Sequence, residues 1–323
     1  MDKFEFDYND KLDNTLDIYD KELNRVYLKR TRMDDLSTRD LFVGNKVQRI
    51  IGKLKERTLA IIKPCSINRL GEIITDIQNR RFQITKLGMY RLSRKEALEL
   101  YDTRKGDSSL PFILEHINSG PVVALELVGE DAIKRFKKEM GPSEPVEARK
   151  VEPNSLRAIY GFATHATSGQ KSLESPVVLK NTTCCIIKPH AIHDGNLGHI
   201  ISAINESHFK ITAAKMVYLS NANADEFLEV YKGVVSDYNA LLLSFVDGPS
   251  VVLEIAGKND ELNVHQDFRS FVGPSDSDIA RQIRPATIRA RFGCDKYKNA
   301  VHCTDLPEDT ILELEYMFKI IKD

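Results

Sequence analysis

The sequence contains no tryptophan, no apolar run long enough to span a bilayer and no excess of charge of either sign. Each absence removes a class of function. The most hydrophobic stretch, Ala240 to Ala256, is broken by Asp247-Gly248-Pro249, and the opening residues Met-Asp-Lys-Phe-Glu-Phe-Asp-Tyr lack the apolar centre of a signal peptide. No membrane partner is expected. With 46 basic against 47 acidic residues, no global field draws the chain to nucleic acid. The five cysteines, Cys65, Cys184, Cys185, Cys294 and Cys303, form no Cys-x-x-Cys pair and no metal-ligand spacing. Reduced thiols in a cytoplasmic setting follow, with no structural disulfide and no protein-held metal. What is present, 42% apolar and 29% charged residues over 323 positions, describes a globular chain long enough for about two domains.

An internal repeat organises most of it. Ala60-Ile-Ile-Lys-Pro64 recurs as Cys185-Ile-Ile-Lys-Pro189, 125 residues later. Leu70, Ile73, Ile74 and Ile77 recur as Leu197, Ile200, Ile201 and Ile204, each quartet having the i, i+3, i+4, i+7 spacing of one buried helix face. Gly120-Pro-Val-Val-Ala-Leu-Glu recurs as Gly248-Pro-Ser-Val-Val-Leu-Glu, and Gly141-Pro-Ser as Gly273-Pro-Ser. Ordered repeats with a slowly growing offset indicate a duplicated domain with small insertions.

Each copy reads as a strand ending in Lys-Pro, a helix, a β-branched strand (Phe82 to Leu92; Phe209 to Leu219), helices, the Gly-Pro strand, a further helix, an arginine strand (Arg157; Arg289) and a loop. Strands separated by helices on one side of a sheet give an α+β fold of two tandem ferredoxin-like βαββαβ units. The expected boundaries are an extension over residues 1–56, a first domain over 57–170 and a second over 180–323. The stretch Thr167 to Asn181, rich in Ser, Gly, Gln and Lys, serves as linker.

Chemistry concentrates between Ile288 and Glu313, where an arginine (Arg289), an amide (Asn299), an imidazole (His302), a hydroxyl (Thr304) and a carboxylate (Glu313) fall close together. To accept a phosphoryl group an imidazole must be neutral, with one nitrogen free and the other held by an acceptor that fixes the tautomer. Glu313 can be that acceptor if its helix packs under the loop. Arg269 and Arg289 offer planar donor forks suited to phosphate oxygens, and Lys63 and Lys188 each set a cation at the end of an apolar strand. Taken singly, every one has a plainer reading: a strand terminus, a surface ion pair or a solvated helix face.

Together, these residues resemble the nucleoside diphosphate kinases, over roughly Arg57 to Asp323. Asn299-Ala-Val-His302 matches the family's Asn-x-x-His signature, with the family's separation of 13 between Arg289 and His302. Lys188 falls on its strand lysine, Tyr231 on its active-site tyrosine, Arg269 and Arg289 on its two phosphate arginines, and Glu313 on its histidine-orienting glutamate. The tandem copies, together with a Val26 to Val47 stretch resembling part of a DM10 module, look most like the group 7 homologues of that family.

The resemblance implies a ping-pong phosphotransferase in which His302, Glu313, Lys188 and Tyr231 act in catalysis. Lys188, Tyr238, Arg269, Ser275, Arg289, Asn299 and Thr304 would hold a nucleoside tri- or diphosphate. Mg²⁺ would be carried mainly by the nucleotide phosphates. The family uses no P-loop, and no Gly-x-x-x-x-Gly-Lys-[Ser/Thr] is found here. The group 7 likeness also implies the alternative of a structural protein associated with tubulin, microtubules, centrosomes or ciliary axonemes, with weak catalysis or none. Duplication implies that the copies pack as an internal pseudo-dimer.

Two departures matter. Cys303 and Thr304 replace the family's Gly and Ser, so the backbone freedom of a glycine is lost beside His302, and Lys296 stands where an apolar base contact is expected. The first copy is degenerate: Lys63, Tyr101 and Arg157 remain, Lys137 stands in for the first arginine, and the candidate His165 lies 8 rather than 13 residues beyond Arg157. A loop so shortened is expected to carry the imidazole out of reach.

Overall fold

A computed structural model of the chain describes residues 55–101, 106–161, 164–167, 176–259 and 262–321. The DM10-like stretch lies outside them. The first domain contributes strands β1 (Lys55–Ile62), β2 (Gln83–Tyr90), β3 (Val122–Glu130) and β4 (Thr164–Thr167). The second contributes β5 (Thr182–Ile187), β6 (Phe209–Tyr218), β7 (Pro249–Gly257) and β8 (Val301–Cys303). All pair antiparallel in one sheet of order β4-β1-β3-β2-β6-β7-β5-β8. Each half has the order of a ferredoxin-like βαββαβ unit, and the halves meet edge to edge where Gly88 pairs with Lys215.

The repeated quartets explain why the halves stay together. Helices Leu70–Asn79 and Leu197–Glu206 bury all eight of those residues completely, and both belong to one core that runs under the whole sheet. They lie against each other at Gly71 and Gly198, equivalent positions of the two copies. A methyl group on Gly198 would sit 2.5 Å from the Gly71 carbonyl oxygen, and one on Gly71 would collide with the Gly198 carbonyl and the Ser202 amide. Only two glycines let the backbones approach so closely. The internal pseudo-dimer is therefore built from a shared sheet edge and a glycine-to-glycine helix crossing.

A second repeated device interrupts the ladder in both halves of the sheet. The register slips beside Thr85 and beside Thr212, and each hydroxyl donates to a glutamate on the next strand at 2.7 Å, Glu126 and Glu254 respectively. Glu254, fully buried, also accepts from the amides of Val178 and Leu179, which ties the end of the linker to the second domain. One expectation is corrected. The "arginine strands" are short helices, Leu156–Tyr160 and Ile288–Phe292, because Ser155 and Thr287 start a turn that brings the arginine back toward a glycine turn. No helix among the described residues is long and apolar enough to cross a membrane.

The crossing yields a prediction. Gly198→Val should lower the unfolding free energy by about 1–3 kcal/mol or more through overpacking between the domains, measured by denaturant unfolding. An unchanged midpoint would mean that the helices do not meet there.

Candidate active site

Strand β8 is three residues long and pairs with β5, Ile187 opposite Val301 and Ile186 opposite His302. Alternation along a strand sends Val301 and Cys303 into the core beneath the sheet and His302 to the other face. There the imidazole lies edge-on to Phe227 and Phe245, with ring centroids 5.3 and 6.0 Å away, and is buried.

Helix Thr310–Glu315 packs back over this face and delivers Glu313. His302 Nε2 lies 3.1 and 3.2 Å from the two carboxylate oxygens of Glu313. The Thr304 hydroxyl donates to the same carboxylate at 2.8 Å and accepts from the Cys184 amide at 3.3 Å. A carboxylate can only accept, so Nε2 carries a proton, and in the neutral imidazole the lone pair is on Nδ1. Nδ1 makes no hydrogen bond to the described residues. Sequence reasoning asked of Glu313 this contact, and here it is joined by a second donor that fixes the carboxylate in turn.

The chain enters β8 through a strained turn. Ala300 has φ +68°, and the Val301 amide donates to the Asn299 carbonyl at 2.9 Å, a γ-turn of the rare positive-φ kind. Cys303, by contrast, is ordinary extended strand, so the missing glycine costs no backbone freedom; its thiol fills core space 3.9 Å from Arg289 Nη2.

Lys188 ends β5 and is 2% exposed. Its ammonium donates to the Tyr297 carbonyl at 2.7 Å and to Ser244 Oγ at 3.2 Å, and stands 4.6 Å above the Phe245 ring. Burial, with Arg289 adding to it, lowers its pKa to about 7. A half-neutral lysine inside the fold is costly unless an anion arrives to match it.

The remaining candidates divide. Tyr231 donates to Asp305, and Arg269 pairs with the same carboxylate while donating to the Thr304 carbonyl at 2.9 Å. Burial opposes ionisation of Asp305, yet these two hydrogen bonds hold it below the usual carboxylate value. Burial, and then the bond to Asp305, push the Tyr231 phenol well up. Arg289 is a bracket: it donates to the Val301 carbonyl at 3.2 Å and the Gly273 carbonyl at 3.0 Å. Arg269 and Arg289 line a cleft of about 530 Å³ with His265, Arg284 and Cys303, and its walls do not include His302. Asn299 Nδ2 donates to the carbonyl of the exposed Ser275 at 2.8 Å, while its Oδ1 is buried without a partner. Tyr238, at the start of helix Tyr238–Val246, donates to Asp225 at 2.9 Å. Lys296 and Tyr297 both reach Ser236, at 3.1 and 3.2 Å, so the loop that carries them is hydrogen-bonded to the segment leading into that helix.

In the first copy Lys63 and Tyr101 are buried, and Arg157 Nη1 donates to the Gly141 carbonyl at 2.6 Å, the same bracket as Arg289 to Gly273. The register sets His165 opposite Ile61, just as His302 stands opposite Ile186, its equivalent. The shortened loop therefore leaves the histidine at the same strand position, contrary to the displacement expected from spacing. Sequence reasoning passed over Asp305, His265, whose Nε2 is 3.1 Å from the Thr304 carbonyl, and the aromatic walls Phe227 and Phe245. Asp305 directly follows Thr304 and was open to notice; the others announce themselves only in three dimensions.

The family model for nucleoside diphosphate kinase matches residues 56–175 and again 181–321. The chain belongs to the nucleoside diphosphate kinase family. It is 41% identical over 348 residues to nucleoside diphosphate kinase homolog 7 of Rattus norvegicus, covering 96% of this chain and 87% of that protein. The corresponding homolog of Mus musculus gives 41% over 347 residues. A nucleoside diphosphate kinase of Aquifex aeolicus is 40% identical over 126 residues, 37% of this chain and 89% of its own length.

The buried lysine of this family member generates a prediction with a definite sign. Its folded pKa lies below its unfolded one, so between about pH 7 and 10.5 the unfolded chain binds the extra proton and the Lys188 contribution to stability rises with pH. Lys188→Met removes that dependence. Any stability advantage of the variant over wild type should therefore be largest near neutral pH and shrink as pH rises, followed by urea unfolding across the range. A pH-independent difference would place the ammonium in water.

Proposed function

We propose that this chain is a nucleoside diphosphate kinase that works through a phosphohistidine at His302. The observation that carries the reading is the imidazole with Nε2–H committed to Glu313, Thr304 locking that carboxylate, and Nδ1 left as the lone pair. In the first half-reaction Nδ1 attacks the γ-phosphorus of a nucleoside triphosphate. The bond from that phosphorus to the β–γ bridging oxygen breaks, and its electron pair leaves with the nucleoside diphosphate. Positive charge gathers on the imidazole as the N–P bond forms, and Glu313 is in place to balance it without moving. The second half-reaction is the reverse, with a different diphosphate as acceptor.

The surrounding residues match the charge of the substrate. Arg269 is partly exposed and held by Asp305, so an incoming phosphate competes for it at a surface site, while Lys188 presents a buried amine that an arriving anion would favour in its charged form. Asn299 Nδ2 donates to the Ser275 carbonyl, which holds the loop after Gly273 against the turn that leads to His302. Among the described residues no group of three or more His, Cys, Asp or Glu could hold a metal ion. An Mg²⁺ brought on the nucleotide phosphates would neutralise their charge, and Asp305 is a carboxylate that could hold it or its water shell.

Incubation with γ-labelled ATP and Mg²⁺ should give an acid-labile, alkali-stable phosphoprotein. His302→Ala should abolish the label, and Glu313→Gln should slow its appearance by roughly 10²-fold or more. An unlabelled wild type would sink the proposal, and label surviving in His302→Ala would move the chemistry elsewhere.

A further inference from the structure

The strained turn before His302 is gripped at both of its peptide groups by the segment that follows β5. The Lys188 amide donates to the Ala300 carbonyl at 2.9 Å, and the Ala300 amide donates to His190 Nε2 at 3.1 Å. Ala300 is fully buried and has no side chain with which to hold itself at φ +68°. A buried amide without an acceptor is expensive, and a positive-φ alanine persists only where its surroundings over-determine it. The γ-turn fixes Asn299 and Val301 around that alanine, and the next residue is His302.

We infer that His190 is a positioning residue for phosphoryl transfer, acting through the Ala300 amide to hold the turn that aims His302 Nδ1. This rests on the phosphohistidine reading above. The role requires an unprotonated Nε2. Burial, and then the Lys188 ammonium, lower the His190 pKa to about 4, so the ring is neutral wherever the chain is folded near neutral pH. Because Nε2 accepts, the proton sits on Nδ1, which is buried without a partner. An unpaired buried N–H on an otherwise apolar-sized ring is a cost that a mere space-filling side chain would not incur.

The first copy supplies a contrast within one chain. There the residue after Lys63-Pro64 is Cys65, exposed and facing Ser66 Oγ at 3.6 Å. The copy that has lost the Asn-x-x-His loop has no imidazole at this place, and the copy that keeps the loop does. Loop and acceptor go together, as expected if one exists to hold the other.

His190→Phe keeps a ring of similar size and removes the acceptor; His190→Gln offers an amide oxygen in its place. His190 touches no substrate in this reading, so His190→Phe should slow the first-turnover phosphorylation of His302 by about tenfold to a hundredfold. The KM for ATP should stay within about twofold and His190→Gln should recover most of the rate. Amide hydrogen exchange at Ala300 should accelerate in His190→Phe and be protected again in His190→Gln. A labelled wild type with an unchanged rate in His190→Phe, or a rise in KM that accounts for the whole loss, overturns the inference. A wild type that takes no label fails the kinase reading instead, and the exchange rate of Ala300 still reports separately whether His190 holds the turn.

Discussion

One strand end governs the site. Strand β5 is buried along its whole length and hydrogen-bonded on both sides, to β7 and to the three-residue β8. Where it stops, at Lys188, the backbone amide crosses to Ala300, the side chain crosses to Tyr297 and Ser244, and the imidazole two residues on receives the Ala300 amide. Pro189 ends the ladder there, because it has no amide to continue it. A short edge strand such as β8 has little pairing energy of its own, so the geometry of His302 depends on how firmly β5 holds that crossing. The fully buried core on one side and the Phe227 and Phe245 rings on the other leave the imidazole two neighbours to lean on and one carboxylate to bond.

The degenerate first copy has a physical reason to persist. Without it, β6 would be an open sheet edge and helix Leu197–Glu206 would lose the partner that now lies against Gly198 and Ser202. Exposed strand edges and apolar helix faces invite association with other chains. The first copy closes both, with β2 at the sheet edge and helix Leu70–Asn79 beneath it. The crossing rests on Gly71 and the shared edge on β2, not on the loop after Arg157. A copy can therefore shed five residues of loop and still serve its neighbour.

Much of this was legible in the sequence, and the reasons differ by residue. The quartets at Leu70 and Leu197 were readable because burial of a helix face imposes a period that survives in any sequence. The Lys-Pro ends were readable because they recur in both copies, and the Arg289-to-His302 spacing because a resemblance carried it. Gly71 and Gly198 were present at equivalent positions, yet a helix glycine has several meanings until the partner backbone is seen. The His165 position was misread because spacing counts residues along a loop, whereas the register of β4 on β1 is set by the strands themselves, and a shorter loop can close the same gap. Arg289, expected at a phosphate from its spacing, also grips Val301 and Gly273, a use that spacing does not announce.

Charge is kept in separate compartments around His302, and this bears on how a polyanion enters. Glu313 is committed to the imidazole and Thr304, Asp305 to Tyr231 and Arg269, and Lys188 to neutral oxygens only. A phosphate approaching this set meets one cation already neutralised at the surface and another buried and short of a counter-charge. Displacing Asp305 from an exposed arginine costs little, since surface ion pairs are weak. Matching Lys188 gains more, because its burial has not been compensated and its proton is half lost near pH 7. The lysine thus favours binding with uptake of a proton, and the arginine favours it by exchange of partners. The Lys296 and Tyr297 contacts to Ser236 tie the loop that carries them to the segment just before Tyr238. On the proposed function, a phosphate would thus be met by groups that the fold already holds in place.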